Sequence, residues 1–252
     1  MRTAAHNTHS VQPRPEHRRR TGLDMATGVL PLLLLSLPAW ALFDLPLTYL
    51  AHVLAGYSLL VGLVLWQAPS AGGSPGLGSA NRITLGRATL VLPVAALSLQ
   101  PAILNAGGYW WIIGVSTVAM VLDGVDGWVA RRDGHVSSFG ARFDMEVDAF
   151  LMLVLSVLVW ESGKVGLWVI GIGAIRYLFI AAGWVWPTLR SPLPQSTRRK
   201  SVCVVQGVAL LVCLGPIVPP TLALLVAAAA FMALVYSFGV DVAWLVQPQR
   251  RR

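Results

Sequence analysis

Charge is scarce in this sequence. Of 252 residues only 12% are Asp, Glu, Lys or Arg, while 56% are hydrophobic; an average soluble domain carries about 25% charged residues. That scarcity, with long apolar stretches, excludes a disordered protein, a nucleic-acid module and an ordinary soluble enzyme. Cysteine is nearly absent: Cys203 and Cys213 cannot build a disulfide framework. On one helix they lie roughly 15 Å apart, beyond bridging distance, and read as packing residues. No internal repeat of the kind that builds inverted-repeat transporters is visible. Acids are rarer than bases, 11 against 19, for a net charge of +8.

The apolar residues fall into eight segments, each near the ~17–25 residues that span a bilayer. They lie near 26–43, 47–67, 83–100, 109–130, 140–160, 165–186, 200–217 and 221–245. Pro38, Gly56 and the Pro219–Pro220 pair mark bends or ends. The expected fold is an all-α integral membrane protein of about eight transmembrane helices. Residues 1–24 read as a basic cytoplasmic tail, 25–67 as an N-terminal hairpin and 68–80 as a small-residue linker. Residues 81–246 form a six-helix core, and 247–252 a basic C-terminal tail.

Orientation follows from the cations. With the N-terminus inside, one side receives Arg18–Arg20, Arg82, Arg87, Arg131, Arg132, Arg190, Arg198, Arg199, Lys200 and Arg250–Arg252, whereas the other holds only Lys164. This asymmetry places both termini in the cytoplasm and the chain in the cytoplasmic membrane. Trp110, Trp111, Trp160 and Trp168 fall where an outer aromatic belt lies. A competing reading of the N-terminus is a cleaved leader, since a basic stretch, an apolar run and Ala39-Trp40-Ala41 imitate its three regions. Cleavage removes the first span and leaves the core topology intact.

Six of the 11 acids crowd into DGVDGWVARRDGHVSSFGARFDMEVD, Asp123 to Asp148. Asp123 and Asp126 are three apart near the inner end of one span; Asp144 and Asp148 are four apart near the inner start of the next. On helices those spacings share a face. Two antiparallel spans and a short loop then bring four carboxylates together. Unpaired, they repel one another and are costly to desolvate. Divalent cations remove that cost, and oxygen ligands suit Mg²⁺ or Mn²⁺, as a carboxylate-bridged pair of ions in phosphoryl chemistry. Gly127, Ala130 and Gly140 leave room for a ligand to approach the backbone, and Arg131 is placed to meet phosphate oxygens.

The spacing D-x2-D-G-x2-A-R-x8-G-x3-D-x3-D resembles the signature of the CDP-alcohol phosphotransferase (CDP-alcohol phosphatidyltransferase) family. Asp123, Asp126, Gly127, Ala130, Arg131, Gly140, Asp144 and Asp148 match at every fixed position. Eight matches at about one in twenty each have chance odds on the order of 10⁻¹⁰ per starting point. NRITLGR, Asn81 to Arg87, is similar to the family's N-x-[LI]-T-x-x-R segment leading into its first core helix. The resemblance covers roughly residues 80–246.

It implies a homodimer with a six-helix core and a site open to the cytoplasmic leaflet. It further implies transfer of a phosphatidyl group from a CDP-linked lipid, CDP-diacylglycerol, to an alcohol, with release of CMP. By position, Asp123, Asp126, Asp144 and Asp148 are metal ligands, with Asp148 also the base for the incoming hydroxyl. Thr84, Gly127, Ala130, Arg131 and Gly140 are donor contacts. The implied partners are the CDP-lipid, a small alcohol and membrane lipids, with no nucleic acid.

The family's phosphatidylglycerophosphate synthases commonly place Lys after the last Asp; here Ala149 stands there. A phosphatidylglycerophosphate synthase-like and a phosphatidylinositol-phosphate synthase-like reading both stand. Arg176, inside GIGAIRYLFI with no fixed acid partner visible in the sequence, and the Arg198, Arg199, Lys200 run suit a phosphorylated acceptor such as glycerol 3-phosphate or inositol phosphate. Glu146, about 200° round the helix from Asp144, faces away and suits structural pairing. Two readings from other classes are a cation transporter whose carboxylates line an ion path, and a non-catalytic membrane scaffold.

Overall fold

The computed structural model describes residues 15–67, 77–100, 105–133, 138–191 and 196–246; the side chains of 15–20, 79, 126–133, 138 and 190 also lie outside the description. Among these residues the regular structure is all helical, with no strand. A backbone in hydrocarbon must satisfy its own hydrogen bonds, and helices do so within one segment. The elements are α1 (Pro15–Leu42), α2 (Leu47–Gln67), α3 (Ser79–Leu97), α4 (Ala106–Asp133), α5 (Ser138–Glu161), α6 (Ile170–Val185), α7 (Thr197–Leu214) and α8 (Pro220–Val246). Short 3₁₀ turns, Leu167–Val169 and Pro187–Arg190, flank α6.

Five of these helices are long and apolar enough to cross a membrane by length and composition: α1, α2, α4, α6 with its leading turn, and α8. The other three carry charged residues: Arg82 and Arg87 in α3; Arg142, Asp144, Glu146 and Asp148 in α5; and Arg198, Arg199 and Lys200 in α7. α3 and α5 are central. α3 packs against α1, α2, α4 and α5, and α5 packs against α3, α6 and α7. Polar side chains at membrane depth gather where helices shield them, so the chargeable helices belong inside the bundle. Leu151, Leu155 and Leu158 of α5 and Leu97 of α3 are fully buried, whereas Leu59, Leu178 and Leu225 are exposed. The chain is an all-α integral membrane protein.

α1 departs from the sequence expectation in one place. It is described from Pro15, ahead of the expected span, and carries part of the expected tail as helix. Of the residues expected to mark bends or ends, Pro38 lies inside α1 and Pro220 opens α8.

The hairpin is latched to the core at the end where α3 begins. Buried Asp24 on α1 accepts the backbone N–H of Leu77 at 3.0 Å and pairs with Arg82 at 2.9 Å. Tyr57 of α2 donates its hydroxyl to the Met25 carbonyl. At the other end Lys164, the lone cation of the supposed outer loops, donates to the carbonyls of Cys213 (3.2 Å) and Gly215 (2.6 Å). A cation there satisfies carbonyls that α7 leaves open at its C-terminus. Cys213 is buried and its thiol donates to the Ala223 carbonyl at 3.3 Å, as a packing residue would; Cys203 is exposed, against expectation.

Candidate active site

α4 is continuous through Asp123 and Asp126, and α5 carries Gly140, Asp144 and Asp148 at four-residue intervals, a single stripe of its surface. α3 packs against both helices. One carboxylate oxygen from each of Asp123, Asp144 and Asp148 lies within 4.8 Å of the others. The spacing argument therefore gathers these three. The side chains of Asp126, Gly127, Ala130 and Arg131 lie outside the described residues.

A fourth side chain completes the cluster. Arg87 of α3 is 1% exposed. Its Nη1 meets Asp123 at 2.9 Å and also Asp144, its Nη2 meets Asp148, and its Nε donates to the Ala119 carbonyl at 3.1 Å. A planar guanidinium serves several oxygens at fixed angles, which a lysine ammonium does not. Charge alone assigned Arg87 to topology; the signal that finds its role is the NRITLGR segment, which places Thr84 and Arg87 one turn apart entering an apolar helix. Thr84 is buried, and its hydroxyl donates to the Ala80 carbonyl at 3.2 Å.

The electrostatics leave room for a cation. Among the described residues, three carboxylates share one guanidinium. The guanidinium is sealed on the α3 side, while the carboxylate side chains remain 27–39% exposed, so a ligand reaches them from the open side. The donors are all carboxylate oxygens, which fit a hard divalent ion and not a soft one.

These aspartates and Arg87 lie within a stretch, residues 77–240, matched by a family model described as CDP-alcohol phosphatidyltransferase. The chain belongs to that family. The match takes in α3 through most of α8 and leaves α1 and α2 outside it. No solved structure matches the chain. This transferase is thus an enzyme of phospholipid biosynthesis, a phosphotransferase for substituted phosphate groups.

The basic residues expected at the acceptor are placed differently from the aspartates. Arg176 has an acid partner after all: its Nη2 pairs with Glu146 at 2.5 Å, and Nη1 approaches the Met145 sulfur at 3.4 Å. Glu146 does face away from Asp144, and α6 packs on the face it turns to, a neighbour that sequence spacing along α5 does not reveal. Arg198 and Arg199 converge on buried Asp241 of α8, the second at 3.8 Å, and Lys200 is exposed. Arg176 Nε and Arg198 Nη1 are buried without a hydrogen-bond partner among the described residues. α7 comes close to α4 and α5 at Gly207, where a Cβ would lie 2.9 Å from the Met120 sulfur and 3.1 Å from Met152.

Proposed function

We propose that this transferase moves the phosphatidyl group of CDP-diacylglycerol to a small phosphorylated alcohol, glycerol 3-phosphate or inositol phosphate, and releases CMP. The observation that carries the reading is the convergence of Asp123, Asp144 and Asp148 around buried Arg87 inside the matched family region. Mg²⁺ or Mn²⁺, two ions in our reading with Asp126 as the further ligand, supplies positive charge against the donor diphosphate when bound.

The rest falls to the chain's own residues. Asp148 accepts the proton of the acceptor hydroxyl as its oxygen bonds to the phosphatidyl phosphorus; the bond from that phosphorus to CMP breaks and CMP carries off the electron pair. Arg87 holds Asp144 and Asp148 in place from behind, a positioning role that keeps the base aimed at the open side. Gly127, Ala130 and Gly140 admit the cytidine diphosphate close to the backbone, Arg131 meets its phosphates, and Thr84 supports that wall from α3.

For the acceptor phosphate, Arg198, Arg199 and Lys200 at the start of α7 are the better-supported group. Asp241 fixes the first two, and the unpartnered Arg198 Nη1 is a donor awaiting an oxygen. Arg176 has Met145 and Glu146 as its described partners; its unpartnered Nε is what supports an acceptor role for it. In this reading the protein is a homodimer, as the family resemblance implies, in the cytoplasmic membrane, and the cation asymmetry supports placing both termini and the site on the cytoplasmic side.

An acceptor screen tests the proposal. Purified protein with labelled CDP-diacylglycerol and Mg²⁺ or Mn²⁺ is offered glycerol 3-phosphate, inositol phosphate, free inositol or serine, and the lipid product is identified. A phosphorylated product is expected; efficient use of an uncharged alcohol, with Arg198→Ala leaving its KM unchanged, overturns the acceptor assignment.

A further inference from the structure

On the side of α5 away from the carboxylates the molecule has a cleft of about 340 Å³. Its walls include Leu60 and Val64 of α2, Val91 of α3, and Phe143 and Phe150 of α5. Phe150 stands two residues from Asp148, roughly 200° round the helix, so this cleft is not the approach to the carboxylates. One wall belongs to α2, which the family match at 77–240 does not include.

We propose that the cleft binds one acyl chain of an anionic diacyl phospholipid, taken from the leaflet on the carboxylate side, with the lipid phosphate on Arg142. Depth is the first support. The lining runs along α2 from Gln67 at its end to Gly56, and along α5 from Phe139 in its first turn to Phe150. Eleven residues at 1.5 Å each make roughly 16 Å, about half of a ~30 Å hydrocarbon core. The cleft is one leaflet deep. Charge is the second support. Gln67 and Arg142 lie where the lining reaches the helix ends, and exposed Arg142 has no ion-pair partner among the described residues. Glu146 also lines the cleft, but Arg176 pairs with it, which among the described lining residues leaves Arg142 as the uncompensated charge. An anionic headgroup is favoured at such a cation and a zwitterionic one is not.

This inference rests on the membrane reading and not on the transfer chemistry. The full chain is reconstituted in phosphatidylcholine vesicles containing a minor fraction of phosphatidylglycerol with a photoreactive diazirine in mid-chain, and adducts are mapped by mass spectrometry. Adducts at Leu60, Phe150 and Leu92, which also lines the cleft from α3, should exceed those at exposed Leu178 and Leu225 by about fivefold or more. Leu60→Trp should fill the cleft and remove the excess. Arg142→Gln, an exposed change that leaves packing intact, should abolish the preference for phosphatidylglycerol over an equally labelled phosphatidylcholine. Asp148→Asn protein should label as the parent does, so a failed transfer reading leaves this test standing. Labelling spread evenly over all exposed apolar faces overturns the proposal. So does a disulfide between two copies formed through Leu63→Cys, which shows a second chain covering the cleft.

Discussion

Asp123, Asp144 and Asp148 were found from spacing because a helix turns a separation of three or four residues into proximity. Arg87 was not, because an arginine near the start of an apolar run looks like any interfacial cation until a neighbouring helix brings acids to it. The Glu146–Arg176 and Arg198–Asp241 pairs escaped for the same reason: their partners are 30 and 43 residues apart in the chain. The residues divide into separable roles. Asp148→Asn should abolish turnover yet leave the CDP-lipid bound, whereas Asp123→Asn should weaken metal and nucleotide binding together; calorimetry beside CMP release distinguishes the two. Arg87→Lys keeps the charge but loses the fork, and should lower kcat roughly 10–100-fold, the usual scale for a residue supporting ligating carboxylates. Its KM for donor should move little. Arg87→Ala leaves the acids facing a buried gap and should cost about 3 kcal/mol or more of stability in reversible denaturant unfolding.

Among the helices, the apolar segments were legible as elements because bilayer thickness sets their length. Their ends were less so. α1 extends into a polar, basic stretch with no apolar periodicity to announce it, and its start mattered, since Asp24 latches the hairpin to α3. Close approaches between helices were invisible in the sequence. At Gly173 of α6 a Cβ would lie 2.6 Å from the Leu153 backbone nitrogen and 2.6 Å from the Ser156 hydroxyl oxygen of α5. Backbone cannot step aside as a flexible side chain does, so Gly173→Ala should destabilise by about 1–3 kcal/mol. Gly114, on α4, has nothing within 4 Å of such a Cβ, and Gly114→Ala should be neutral or stabilising by roughly 0.5–1 kcal/mol. Thermal aggregation midpoints of the two variants in one detergent check the contrast; equal midpoints contradict the α5–α6 packing.

For the molecule as a whole, α3, α5 and α7 are the helices less suited to hydrocarbon by composition, and the site forms where Arg87 of α3 and Asp144 and Asp148 of α5 meet Asp123 of apolar α4. Lys164 needed no place in that topology, because it caps α7. Orientation is checked in a Cys203→Ser, Cys213→Ser background. A cysteine at Ser162 should react with an impermeant maleimide on intact cells, and one at Ser191 only after permeabilisation; the reverse pattern inverts the site to the outer face. The catalytic centre itself is tested most directly by CMP release from CDP-diacylglycerol in the purified protein, with acceptor present, before and after chelation. Release should vanish with chelator, return with Mg²⁺ or Mn²⁺, and stay absent in Asp148→Asn under either ion. Undiminished release in chelator, or near-normal release by Asp148→Asn, contradicts a metal-dependent transfer at Asp123, Asp144 and Asp148.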